Sequence, residues 1–345
     1  MLLSLTSKLK NILILGLALV CLSCDSQPIS FNVYRIYAMG TWIEISIDTK
    51  AKTDNEVIMS EISSFLYQYE RDFYPWSNGE LRAFNDALTN NKAHIASDDL
   101  IELIVVSKKI YTLSEGAFDP SIGRLVELWG FNSMIDNPMT IPQQIEIDEV
   151  LANRMKLTDI YINNNNLKGI TNKNALLDFG GIAKGQAINH LVEILTTYGV
   201  QHFIVNAGGD LTVGLTHNYT NDGYKIGIRD PRRNNINYVI NLNSNESAFT
   251  SGDYERYFDA DDERYHHLLS PLTGSPATGT RSLTVIHDDP VLADASATAL
   301  FIMGKDNWKH IAETLGVTLA LRIDADGSID MTEAMHARVE ELSYE

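Results

Sequence analysis

The chain has 345 residues, 44% of them hydrophobic, and carries 27 basic against 45 acidic side chains, a formal charge of −18. It is long enough to bury a sizeable core, and a surface this acidic disfavours nucleic acid and anionic membrane surfaces as electrostatic partners. An anionic substrate would need local cations to offset that repulsion, and a bound divalent metal is the obvious device.

At the N-terminus Lys8 and Lys10 precede an apolar run from Ile12 to Leu22. The run is too short to span a bilayer and small residues follow it, the pattern of a secretory signal. Ser23 before Cys24 resembles a bacterial lipoprotein cleavage site. Residues 1–23 are therefore read as a lipoprotein signal peptide, 24–30 as a linker lipidated at Cys24, and 31–345 as the exported domain. Asp25 resembles the signal that keeps such lipoproteins in the inner membrane of Gram-negative bacteria, which implies an inner-membrane lipoprotein facing the periplasm. Both cysteines, Cys21 and Cys24, lie in this segment, so the exported domain has no disulfide or thiol chemistry.

Phe31 to Tyr37 and Thr41 to Ile47 read as strands joined by a tight turn at Ala38-Met39-Gly40-Thr41. Ile58, Ile62, Phe65 and Tyr69 fall at helical spacing, and the helix should end near Asp72. The aromatic stretch Phe73 to Gly79 follows, where Pro75 and Gly79 argue for a loop and Trp76 offers a flat face to a core or to a planar ring. Leu100 to Leu113 predicts a second amphipathic helix. Glu115 to Gly123 reads as a loop in which Asp119 precedes Pro120, and Leu125 to Phe131 follows it. The segment 136–166, rich in asparagine and proline, reads as the least ordered part and promises little chemistry.

Leu177 to Asn189 then runs Leu-Asp-Phe-Gly-Gly-Ile-Ala-Lys-Gly-Gln-Ala-Ile-Asn. Asp178 ends an apolar run, Gly180 and Gly181 follow, and a helix opens with Lys184 on its first turn, continuing to Tyr198. That layout suits an anion, because glycine permits close backbone approach and a helix start presents free N–H groups. It fits neither the dinucleotide fingerprint nor a P-loop, and a plain strand-to-helix turn with a surface lysine has the same pattern.

Short strands are predicted at 203–205, 211–213, 224–228, 282–286 and 317–323. Ala248 to Tyr257 reads as a glycine-hinged polar stretch, and Arg264 to Gly274 as a strand ending in a turn. A helix from Ala293 to Met303 would place Asp294 and Thr298 on one face, four residues apart. Two such hard oxygen donors suit magnesium, although an acid there would equally answer the helix dipole. The expected fold class is α+β, a mixed α/β single unit with a largely antiparallel sheet and flanking helices.

Taken in order, these pieces resemble the bacterial flavin transferase family often called ApbE, the FAD:protein FMN transferases. The resemblance rests on Met39-Gly40-Thr41, Glu80-Leu81 with Asn85, Gly116 to Pro120, Leu128 to Phe131, Asp178 to Gly185, Asn206 to Asp210, Ser251 to Tyr254, His267 with Pro271, Thr273 and Gly274, and Ala293-Asp294 with Ala297-Thr298. It implies Mg²⁺-dependent transfer of the FMN half of FAD to a threonine hydroxyl of a target protein, with release of AMP. The implied acceptors are covalent-flavin subunits of the sodium-pumping quinone reductase and Rnf-type complexes. It implies that Met39, Trp76, Ala117, Phe118, Asp119, Asp178, Lys184 and Leu268 bind the cofactor, and that Gly181, Asp294 and Thr298 hold the metal. His267 is expected as the general base, from its unperturbed pKa near neutrality. Ser270 and Leu272 depart from the family's acid and basic residue in that turn. An FAD pyrophosphatase giving FMN and AMP, and a non-catalytic flavin-binding lipoprotein, are the alternatives.

Overall fold

The computed structural model describes residues 30–132, 139–164, 166–169, 172–216, 223–233 and 235–342. The predicted signal peptide and lipidation site, with Cys21 and Cys24, lie outside them. Phe31–Glu345 forms one compact unit.

The chain opens with the hairpin β1 (Phe31–Ala38) and β2 (Thr41–Asp48), then α1 (Asn55–Phe73), α2 (Glu80–Thr89), β3 (His94–Ile95) and α3 (Asp98–Leu113). A 3-10 turn at Pro120–Ile122 leads into α4 (Gly123–Leu128), α5 (Gln144–Asn153), β4 (Ile160–Asn163), β5 (Asn166–Gly169) and α6 (Ala183–Thr197). The strands β6 (Phe203–Ala207), β7 (Asp210–Val213), β8 (Tyr224–Arg229), β9 (Ile236–Leu242), β10 (Ser247–Gly252), β11 (Tyr257–Ala260), β12 (Glu263–His266) and β13 (Thr280–His287) follow. The described chain closes with α7 (Pro290–Met303), α8 (Trp308–Leu315), β14 (Leu319–Asp324), β15 (Ile329–Met331) and β16 (Val339–Glu341).

Eight strands make the central sheet in the order β1-β2-β6-β7-β10-β13-β14-β15. Every pairing between neighbours in it is antiparallel. The predicted α+β class with a largely antiparallel sheet therefore holds. Alternation decides the two faces. Ile43, Ile45, Ile47, Val205, Phe249, Leu283 and Val285 point to one side, where α1, α6, α7 and α8 bury them under residues such as Ile62, Leu191, Leu300 and Ile311. Leu211, Val213, Ala248, Ile286 and Leu321 point to the other, against Ile228, Ile240 and Leu242 of the small β16-β9-β8 sheet.

The β1–β2 turn shows why the sequence folds locally as predicted. Met39 (φ 53) and Gly40 (φ 74) are both left-handed, the backbone that a two-residue hairpin matched to strand twist requires. Three readings need correction. The segment 136–166 contains α5 and β4, and α5 opens with Glu146 Oε2 accepting from the Gln143 amide at 2.8 Å, a cap that composition alone does not announce. Ser247–Gly252 is a buried strand, because the polar Ser247, Thr250 and Ser251 find partners on neighbouring elements. Helix α7 begins at Pro290, with the Asp289 side chain accepting from the Val291 and Leu292 amides. Asp294 therefore lies beyond the first turn, and the helix-dipole reading of it lapses. Among the described residues no helix is long and apolar enough to cross a membrane.

Candidate active site

A cleft of about 810 Å³, counted out to its open mouth, lies between the loops at Ala117–Pro120 and Asp178–Gly181, the end of β10, the turn after β12, and α7. The two loops are laced together from below. Buried Asn85 donates its amide to the Leu177 carbonyl at 3.1 Å and accepts from the Leu177 amide at 2.8 Å, so both backbone groups of that residue are held by one side chain. The Asp178 amide then donates to the Pro120 carbonyl at 2.8 Å.

Asp178 reaches the cleft with its Oδ1 accepting from the Gly180 amide at 2.8 Å. Burial pushes its carboxyl up, against the Gly180 amide and Arg256, which pull the other way. Asp119 is buried as well. Its Oδ1 accepts from the Ser121 amide at 2.9 Å and its Oδ2 sits 2.9 Å from Arg154 Nη1. Burial pushes this carboxyl up too, with the Arg154 charge opposing. Ala117 and Phe118 complete that wall.

The glycines do a different job from the one their spacing suggested. A Cβ on Gly185 would lie 2.4 Å from the Pro290 carbonyl oxygen, so α6 and α7 can meet only if position 185 has no side chain. The Gly185 amide donates to Asp294 Oδ2 at 2.8 Å. One amide at the start of α6 is therefore taken by an acid of the same chain. A Cβ on Gly181 would sit 3.1 Å from Thr298 Oγ1, which places the glycine turn directly against the late helix. Thr298 Oγ1 is also 3.3 Å from Ser251 Oγ.

This corner concentrates charge. Lys184 pairs with Asp210 Oδ2, whose Oδ1 accepts from the Thr250 amide at 2.8 Å. Burial opposes the lysine charge, but Asp210, Glu255 and Asp294 more than offset it and hold the ammonium above its ordinary value. Asp294 moves the other way. Burial, with Asp210 and Glu255 adding to it against Lys184 and the Gly185 amide, pushes its carboxyl up to about 7. Gly181, Asp294 and Thr298 all line the cleft and offer a main-chain carbonyl, a carboxylate and a hydroxyl, a hard oxygen set that suits Mg²⁺. Among the described residues the buried Asp294 carboxyl accepts from the Gly185 amide alone and feels Lys184 as a nearby charge, an observation that fits a cation ligand. Among the described residues no three His, Cys, Asp or Glu side chains group as metal ligands, so backbone and hydroxyl donors would have to share the task.

His267 follows β12 directly and lines the same cleft. Its Nδ1 lies 3.2 Å from the Arg256 carbonyl, which can only accept, so Nδ1 carries the proton and Nε2 presents a lone pair. Nε2 is 4.0 Å from Glu255 Oε2. Burial, with the Arg256 cation, holds the imidazole well below its ordinary value, so the expectation of an unperturbed pKa near neutrality does not hold for His267. Glu255 is pushed up by burial and by Asp210, while Lys184 opposes.

The structure thus brings Ala117, Phe118, Asp119, Asp178, Gly181, Lys184, His267, Leu268, Asp294 and Thr298 into one cleft. Met39 and Trp76 are not among its lining residues. Met39 packs between the two large cores. Trp76 donates Nε1 to Glu127 Oε1 at 2.9 Å and rests on the cluster that contains Val126 and Phe131, both of which do line the cleft. Sequence reasoning missed Glu255 and Arg256, although they continue the quoted Ser251-Gly252-Asp253-Tyr254 motif and were within its signal. It also missed Arg154, in the segment said to promise little chemistry, and no local pattern pointed to it.

A profile of the ApbE family matches residues 39–321. The chain is 34% identical over 308 residues to an FAD:protein FMN transferase of Rhodobacter capsulatus, covering 88% of this chain but only 57% of that protein. It is 28% identical over 317 residues to an FAD:protein FMN transferase of Vibrio cholerae, covering 89% of this chain and 88% of that one. The crystal structure of the ApbE protein of Thermotoga maritima superposes with a TM-score of 0.82 at 30% identity, covering 90% of this chain and all of that one.

Proposed function

The chain belongs to the ApbE family, and from that premise we propose that it transfers the FMN half of FAD to a threonine hydroxyl of a target protein and releases AMP. The hydroxyl oxygen forms a bond to the FMN phosphorus, the pyrophosphate P–O bond breaks toward AMP, and the hydroxyl proton leaves to a base. The observation that carries this reading is the meeting, in one cleft, of a hard oxygen donor set with a histidine whose Nδ1 is held by the Arg256 carbonyl.

Gly181, Asp294 and Thr298 would hold Mg²⁺, which when bound supplies neutralisation of the pyrophosphate charge. The remaining tasks fall to the chain's own side chains. Lys184, kept protonated by its acidic neighbours, stands ready to meet a phosphate or ribose oxygen. Asp178, at the loop tip fixed through Asn85, orients the flavin end by hydrogen bonding. His267 is neutral at neutral pH and takes the hydroxyl proton at Nε2, while the Glu255 carboxylate 4.0 Å away stabilises the imidazolium that forms. The proposed acceptors are covalent-flavin subunits of the sodium-pumping quinone reductase or Rnf-type complexes. The proposed setting is the periplasmic side of the inner membrane, with lipid on Cys24.

Incubating the purified chain with FAD, Mg²⁺ and such an acceptor tests the reading. An FMN mass on the acceptor threonine, with one AMP released per transfer, is the expected result. Free FMN and AMP with an unmodified acceptor would make the protein a pyrophosphatase, and intact FAD would make it a binding protein. His267→Ala should slow transfer by roughly a hundredfold or more while leaving FAD affinity in place. Unchanged turnover in that variant would remove the histidine from the role of base.

A further inference from the structure

The outer face of the β1–β2 hairpin is bare. The small β16-β9-β8 sheet packs on residues from β6, β7, β10, β13 and β14, and none of the hairpin's residues belongs to that apolar cluster. On the outer face the antiparallel register sets Val33 opposite Ser46, Arg35 opposite Glu44 and Tyr37 opposite Trp42. Val33 is 54% exposed, Tyr37 56% and Trp42 59%, whereas Ile43, Ile45 and Ile47 on the inner face are buried. A strand pair with one solvated face ordinarily reads polar outward, and this one carries apolar residues on both sides. Tyr37 and Trp42 meet edge to face at 5.4 Å, forming one aromatic unit. Arg35 Nε lies 2.8 Å from Glu44 Oε1, so these two exposed charges cancel, and the other charge of the face is Asp48, opposite Phe31 and buried. In a chain of formal charge −18 the exposed side chains of this patch are locally neutral, which lowers the repulsion from a lipid surface here.

We infer that this hairpin face rests on the lipid bilayer, with Tyr37 and Trp42 in the headgroup zone. The inference depends on the lipidation of Cys24 stated under the proposed function. Seven residue steps separate Cys24 from Phe31 at the start of β1, a reach of at most about 25 Å. Phe31 to Tyr37 spans about 20 Å along the strand. A lipid on Cys24 therefore keeps the hairpin close enough to lie along the surface, and tyrosine and tryptophan are the side chains that favour that boundary, with an apolar body and a polar tip. The cleft is built on α7, which packs on the opposite face of the sheet, so the hairpin can touch lipid while the cleft stays open to a protein acceptor.

The test uses the full chain, extracted from membranes with its processed N-terminus and reconstituted into phosphatidylcholine vesicles with plain or brominated acyl chains. Of the four tryptophans, Trp129 and Trp308 are buried and Trp76 is packed against its own core cluster. Brominated lipid should quench wild-type emission, and Trp42→Phe should abolish that quenching. Val33→Asp should weaken the quenching of Trp42 without altering FAD binding. Mass spectrometry of the same sample reads the acyl group independently. An acylated protein whose quenching is the same with and without Trp42 overturns the docking and leaves the anchor standing. Absence of an acyl mass overturns both. A dimer in detergent that Val33→Asp dissociates would give the face to a second copy and also overturn the inference.

Discussion

Helix α6 carries two polar faces of opposite character. Toward the cleft, Lys184 is shared by Asp210, Glu255 and Asp294, and Asp294 has a single amide as its hydrogen-bond donor. Away from it, two residues further on, Gln186 is fully paired: its Oε1 accepts from Tyr69 Oη at 2.7 Å, and its Nε2 donates to the Asp99 carbonyl at 3.1 Å and to Glu102 Oε2 at 2.7 Å. One turn later His190 Nε2 lies 2.9 Å from Asp99 Oδ1. Both faces are rich in charge. The difference is closure: a network whose donors and acceptors are all matched orders the scaffold, while one with surplus carboxylate retains capacity for a ligand.

The sharpest way to break that contrast is Asp294→Ala. If the surplus carboxylate exists to hold a cation, its loss should lower Mg²⁺-dependent AMP release by about a thousandfold, the several kcal/mol that a metal contributes to phosphoryl transfer. Folding of the metal-free chain should change little, because the cost of stranding the Gly185 amide is offset by removing a buried carboxyl. A variant that keeps full activity would make the cleft face as structural as its opposite. On the closed face the expectation reverses. Gln186→Leu strands the Tyr69 hydroxyl and the Glu102 carboxylate, and should cost about 2 kcal/mol of stability. Denaturant unfolding reads that loss, and kcat for the folded fraction should hold.

A finer probe is Gly181→Ala. The new methyl would meet Thr298 Oγ1 at 3.1 Å and Phe118 Cε2 at 3.3 Å, tight contacts that displace the hydroxyl by a few tenths of an ångström. Metal sites that lose ligand geometry in this way weaken by about tenfold, which titration calorimetry with Mg²⁺ in the presence of FAD would show. Equal affinity would mean that Thr298 is not a ligand.

The two faces were unequally legible in the sequence. Asp294 and Thr298 could be placed together because helical spacing is local, and the β1–β2 hairpin because Met39-Gly40 demands a left-handed turn. The meeting of Gly181 with Thr298 is a contact across 117 positions. Only likeness to a family suggested it, since nothing in periodicity encodes which glycine faces which helix. Arg154 against Asp119 was out of reach for the same reason, compounded by a segment whose asparagines and prolines concealed α5. The whole Tyr69–Gln186–Asp99–His190 network went unread, because each member on its own is an ordinary helix residue whose partner lies on another helix.

The smallest effect belongs to that network and concerns pH. The hydrogen bond to Asp99 is the largest influence on His190 and raises its pKa above the ordinary 6.5, with burial opposing. A raised folded-state value means that the charged imidazole stabilises the fold fully below pH 6.5. The contribution then fades as pH climbs through the folded-state value. Because the ring retains some solvent contact, screening keeps the contribution under about 1 kcal/mol. His190→Gln should therefore melt below the wild type at pH 6, and the gap should narrow toward pH 9, with AMP release unaltered at either pH. A gap that stays constant would mean that the imidazole acts by packing against Phe65 and Tyr69, whose rings lie 5.1 and 6.5 Å away, and that charge contributes nothing on this face. A change in AMP release would be more consequential, since it would carry the influence of the closed side through α6 to Lys184 and erase the division between scaffold and site.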